Sequence, residues 1–215
     1  MATFVEGRRF PAEAEPLGLL SEGAAGIATV VLSVIALAGI SSAPLASIVT
    51  IVVGVGLMVQ AFNSTAERFR AISTGSASTA QSVDLGAEVM VDVVSGFTGL
   101  VLGILALVGV NAAHLVPAAL IVFGGALLLS GGIEMISGVP SGAGQTSTAA
   151  FQSSAATGGL QIMVGIAAIV LGILALTTLA SWVLVLVGFI AIGAALLMVS
   201  ATFSGAVTRL LVGAA

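Results

Sequence analysis

Few side chains in this sequence could do chemistry, and three of them fall at matching places. Glu22, Asp92 and Gln161 each stand four residues before a glycine, at Gly26, Gly96 and Gly165. On a helix that spacing sets the polar group one turn from the glycine and on the same face. Two carboxyl groups and a carboxamide placed this way could ring the cytoplasmic mouth of a helix bundle, bind a cation or take up protons, since ionisable groups away from water are costly and often functional. A plainer reading makes them helix-start residues at headgroup level, where the helix dipole favours an acidic side chain. Glu134 follows Gly131 and Gly132 and has no counterpart, because Ser64 and Phe203 occupy its place in the other repeats. It reads as a charged end to its helix, or as a further member of an acidic vestibule. Glu88 and Asp92 are four apart, and like charges on one helix face repel. Either the helix starts after Glu88, or one carboxylate has a partner such as Arg68 or Arg70. His114 reads as a turn residue at the outer surface, in a position to sense external acid.

Other chemistries are excluded by what the sequence lacks. There is no cysteine, so disulfides, thiolate metal sites and iron–sulfur clusters are ruled out. One histidine and no tyrosine leave little for acid–base work or haem ligation. The glycine-rich runs lie inside apolar stretches with no strand before them, so a nucleotide-binding fingerprint lacks its required context. Five arginines and a net charge of −4 cannot build a phosphate-neutralising surface, and no nucleic-acid partner is expected. Nor does any nucleophile–base pair or metal-ligand cluster emerge. The expectation is a protein that is not an enzyme and uses no cofactor and no metal.

The elements that must position these residues are written three times. Gly96-Phe-Thr-Gly-Leu-Val-Leu-Gly-Ile-Leu-Ala106 matches a stretch 70 positions earlier, from Gly26 to Ala36, and one 69 positions later, from Gly165 to Ala175. Repeats of this kind govern architecture. Small residues recur in each copy: Gly26, Thr29, Ser33 and Ala36; Gly96, Gly99, Gly103 and Ala106; Gly165, Ala168, Gly172 and Ala175. Steps of three and four align them as one smooth stripe on an otherwise aliphatic helix. Such a helix belongs in lipid and packs closely on a neighbour through the stripe. Further glycine clusters, Gly54-Val-Gly56, Gly124-Gly125 and Gly193-Ala-Ala195, read as packing surfaces, as do Ala61, Gly131 and Ser200 seven residues after each cluster begins.

The bulk composition agrees. The chain is 59% hydrophobic and 7% charged, with a mean hydropathy of +1.27, whereas soluble domains carry about 25% charged residues. Apolar spans at roughly 23–41, 44–62, 93–111, 114–135, 158–179 and 181–203 are each long enough to cross a hydrocarbon core of about 30 Å. They pair through tight links at Ser41–Pro44, Asn111–His114 and Thr178–Ser181. The expected fold is therefore an all-α membrane protein with six transmembrane helices in three parallel repeated helical hairpins. Residues 1–22 form a cytoplasmic lead, and 23–62, 93–137 and 158–204 are the hairpins. Residues 63–92 and 138–157 are polar linkers, and 205–215 are a tail. Ser78-Thr-Ala80 recurs as Ser147-Thr-Ala149, which leaves open short membrane-surface helices within the linkers. Arg8, Arg9, Arg68, Arg70 and Arg209 all fall on the side of the termini and linkers, which the positive-inside rule places in the cytoplasm. Trp182 sits where an aromatic belt residue would.

Leu102-Gly-Ile-Leu-Ala-Leu107, Leu171-Gly-Ile-Leu-Ala-Leu176 and the weaker Leu32-Ser-Val-Ile-Ala-Leu37, each followed by a tight turn and an apolar, glycine-containing helix, resemble the HdeD-like family. Its members are bacterial inner-membrane proteins built from short repeated hairpins, and its type member is associated with acid resistance. The resemblance covers the six spans and supplies no catalytic residues. It implies a multi-pass inner (plasma) membrane protein with a structural or stress-related role. The stripes at Gly26, Ser33, Gly96, Gly99, Gly103, Gly165, Ala168 and Gly172 serve helix packing, and what remains of them suits a homo-oligomer or an accessory subunit in the bilayer. The alternative is a proton or cation channel or small-solute transporter with Glu22, Asp92, Gln161 and Glu134 at its inner vestibule.

Overall fold

A computed structural model describes residues 15–73, 79–137, 148–178 and 181–212, and within these the side chains of some helix-end residues lie outside the description. Six helices make up these residues: α1 (Glu15–Leu37), α2 (Ser42–Ser73), α3 (Thr79–Leu107), α4 (Ala112–Ser137), α5 (Thr148–Thr177) and α6 (Ser181–Val212). Four stretches within them, Ser42–Phe62, Val89–Leu107, Ala112–Ile133 and Gly158–Thr177, are long and apolar enough to cross a membrane. Gly23–Leu37 and Trp182–Met198 are apolar but shorter.

The helices run further than the apolar pattern alone predicts. α2 continues to Ser73, α3 starts at Thr79 and α5 at Thr148, so much of the sequence read as polar linker at 63–92 and 138–157 is helical extension of the apolar spans. α1 likewise begins inside the segment read as the lead. The physical reason is propensity. Ala, Glu, Gln and Arg in these stretches hold a helix once a packed span has nucleated it, whatever their polarity. Both α3 and α5 begin at the Thr of the repeated Ser-Thr-Ala tripeptide.

Two of the tight turns share one chemistry. Gly39 and Gly109 have φ of +90° and +95°, and Ser41 and Asn111 follow at +47° and +41°. Gly109 N–H donates to Ala106 O at 3.1 Å and Val110 N–H to Leu105 O at 3.0 Å, the paired bonds that close a helix through a left-handed glycine. The Ser41 carbonyl accepts from Leu45 and the Asn111 carbonyl from Leu115, each at 3.2 Å, opening the next helix. Near the third turn the pattern is different. Thr178 takes the glycine's place and satisfies the helix end itself, its N–H and Oγ1 both donating to Leu174 O.

Contacts between helices follow a cycle. Each odd helix packs between two even ones: α3 between α2 and α4, α5 between α4 and α6, and α1 between α6 and α2. α2, α4 and α6 also touch one another. Their shared interior is built in layers of corresponding residues: Ala46, Val116 and Val185; Thr50, Leu120 and Phe189; Val53, Phe123 and Ile192; Leu57, Leu127 and Leu196. All are buried, and Phe123 and Phe189 meet edge to face with centroids 6.3 Å apart. Thr50 Oγ1 donates to Ala46 O at 2.8 Å, which removes the one polar group of these layers from need of any other partner. The outward faces of the odd helices carry Ile27, Val31 and Val34; Val94, Phe97 and Val101; and Ile166, Val170 and Ile173, all exposed.

Candidate functional site

The twelve stripe positions, from Gly26 to Ala36, Gly96 to Ala106 and Gly165 to Ala175, are all buried. The first glycine of each stripe meets an even helix of a neighbouring repeat, in three corresponding glycine pairs. A Cβ built on Gly96 would lie 2.8 Å from Gly54 O, and one on Gly54 would lie 2.8 Å from Gly96 O. The distances are 2.6 and 2.7 Å for Gly165 with Gly124, and 3.1 Å both ways for Gly26 with Gly193. Backbone thus touches backbone at α2–α3, α4–α5 and α6–α1, an approach open only to residues without a side chain. Further along, Gly103 faces Ile51 and Ser47 O, and Gly172 faces Ile121 and Pro117 O. Gly99 is different: the Phe123 ring of α4 fills the space where its side chain would be. By the repeat offsets the counterparts of Gly99 are Thr29 and Ala168 and those of Phe123 are Val53 and Ile192, so the copy with the largest interior residue is the one with the smallest stripe residue.

At the end of the bundle away from the tight turns the interior becomes polar. Asp92 and Gln161 are each 2% exposed, although both lie in the outer helices α3 and α5. Ser130 Oγ of α4 donates to Asp92 Oδ1 over a long 3.4 Å. Ser95, one turn on, spends its hydroxyl on Val91 O and Asp92 O at 2.7 and 3.2 Å. Gln161 lies against the next residue of α4: a Cβ built on Gly131 would be 3.0 Å from Gln161 Cβ and 2.6 Å from Gly158 O. Gln161 Oε1 is buried and, among the described residues, accepts no hydrogen bond. The structure therefore brings Asp92 and Gln161 onto adjacent residues of α4, Ser130 and Gly131.

Glu22 and Glu134 lie in α1 and α4, but their side chains are outside the described residues, as are those of Arg68, Arg70 and Glu88. Because α3 starts at Thr79, Glu88 and Asp92 share that helix, and a helix start after Glu88 is excluded. His114 is exposed at the first turn of α4, where its Nδ1 pairs with Asn111 Oδ1 at 2.8 Å. Ser130 was missed by sequence reasoning. Its signal was present: it stands 38 residues from Asp92, as Gln60 stands 38 from Glu22. A serine in an apolar helix nevertheless looks like one more small packing residue. Among the described residues no group of three His, Cys, Asp or Glu could hold a metal ion.

Among the described residues the fold is all-helical, with four helices long and apolar enough to cross a membrane. No family model, curated protein or solved structure matches the chain.

Proposed function

We propose that this chain is a multi-pass protein of the bacterial inner membrane, not an enzyme, that serves as a structural or stress-related component. In this reading it resembles HdeD-like proteins, with all six helices crossing as three parallel hairpins and both termini in the cytoplasm. It assembles with copies of itself or joins a larger membrane complex as an accessory subunit. One observation carries the reading: the interior shared by α2, α4 and α6 is filled by Leu57, Leu120, Phe123, Leu127, Phe189 and Leu196, and the one polar side chain of those layers, Thr50, is turned back onto Ala46 O. A conducting path needs polar groups or water along its length.

The buried Asp92–Ser130 pair favours a second reading, a proton or cation pathway. Liposome reconstitution separates the two. Proton or cation flux that disappears in Asp92→Asn supports the pathway. Absence of flux in wild type, together with a stable partner or self-association in a native pull-down, supports the structural role. A lone monomer without partners would overturn the assembly claim.

A further inference from the structure

We infer that α1 is a detachable helix: its seam with α6 opens while the α2–α3 and α4–α5 seams stay closed. The three seams share one design, so their differences can be read directly. α2 leads on to α3 and α4 to α5, whereas α6 and α1 are not consecutive along the chain and no linker joins them. The α6–α1 seam is also the least extensive of the three. Its glycine pair is the widest, at 3.1 Å both ways against 2.6 to 2.8 Å elsewhere.

The cause of the wider gap is visible. At the second stripe position α3 has Gly99, which offers backbone alone to Gly54, and α5 has Ala168, whose Cβ meets Gly124. α1 has Thr29, whose Cγ2 lies 3.1 Å from a Cβ built on Gly193; Val30 beside it, at 2.8 Å, is matched by Ile169 of α5 at 2.9 Å from Gly124, so the difference lies at Thr29. Thr29 Oγ1 donates to Ala25 O at 2.8 Å, which holds its rotamer and keeps Cγ2 against Gly193, so the backbones stand apart. At the third position Gly103 and Gly172 are replaced by Ser33, whose Oγ is buried and, among the described residues, has no hydrogen-bond partner. An unmade hydrogen bond in a dry interior favours any state that lets the hydroxyl find one. Thr29 and Ser33, the two stripe positions where α1 departs from the glycines and alanine of α3 and α5, thus both weaken the packing of α1.

The absence of cysteine makes this directly measurable. Ala36, Ala106 and Ala175 are corresponding buried alanines in the last turns of α1, α3 and α5. Single Ala36→Cys, Ala106→Cys and Ala175→Cys chains, reconstituted in phosphatidylcholine vesicles, are labelled with a membrane-permeable maleimide. Ala36→Cys is expected to react roughly tenfold faster than the others, the ratio that one unmade buried hydrogen bond corresponds to. Adding Thr29→Ala and Ser33→Gly should bring its rate down to theirs. A Cβ built on Gly23 lies 3.8 Å from Ser200 Cβ, within disulfide range, so a Gly23→Cys/Ser200→Cys crosslink should slow the labelling too. Equal rates at the three sites overturn the proposal. So does a fast Ala36→Cys rate that survives the crosslink, since that reports fraying of the turn alone. Backbone hydrogen exchange on the unmodified chain gives an independent measure: protection in 23–37 no lower than in 93–107 and 162–177 also overturns it.

Discussion

The interior and the seams of this bundle solve the same packing problem in opposite ways. Between α2, α4 and α6 the space is filled with large side chains, Phe123 and Phe189 above all. Between α2 and α3 or α4 and α5 there is no space to fill, because glycine backbones touch. In water the first arrangement would dominate stability, since each large side chain removed from solvent contributes about 1.5–3 kcal/mol. In the lipid setting proposed for this chain that contribution largely vanishes, because acyl chains are as apolar as leucine. What is left is contact, and contact is closest where side chains are absent. The difference teaches that residues giving the chain its hydropathy are not those that hold its helices in register.

Three substitutions and one control test this ranking by chemical unfolding in mixed micelles. Gly165→Val should have the largest effect, roughly 3 kcal/mol of destabilisation or more, because its Cβ meets the Gly124 carbonyl at 2.6 Å and backbone cannot step aside. Gly125→Val on the same bundle is the control. Nothing lies within 4 Å of a Cβ built there, so only a small change is expected. Phe123→Ala should come second, at about 2 kcal/mol. That is below the 3–5 kcal/mol of soluble cores, because only the cavity and lost contacts count and not the transfer from water. If Phe123→Ala costs more than Gly165→Val, the interior and not the seams holds the bundle, and the comparison is wrong. Ser33→Ala has the smallest effect and the opposite sign. Removing an unpartnered buried hydroxyl should stabilise by about 1 kcal/mol or less, and measured destabilisation would mean the hydroxyl is bonded after all.

The polar end shows where reading the sequence stops. That Asp92 and Gln161 occupy corresponding places, one turn from Gly96 and Gly165, follows from the 70- and 69-residue offsets. That both are buried, and that Ser130 bonds Asp92, does not follow, because a helix face alone names no partner. In the polar stretches the repeated Ser-Thr-Ala left short surface helices open, but did not show that the helices there run on into the apolar spans. Hydropathy reports solvent, while helix extension depends on propensity and on nucleation by the packed span beside them.

The sequence by itself determined the periodicity: three copies, six apolar segments, and a stripe of small residues on every odd helix. Those are properties of spacing, and spacing survives without coordinates. Only the tertiary structure decided where the first glycine of each stripe docks, on the even helix of a neighbouring repeat. Any of the glycine clusters could have received it. The choice was made by shape, in the fit of Gly96 to Gly54, Gly165 to Gly124 and Gly26 to Gly193, and fit between distant segments is not written in either one alone.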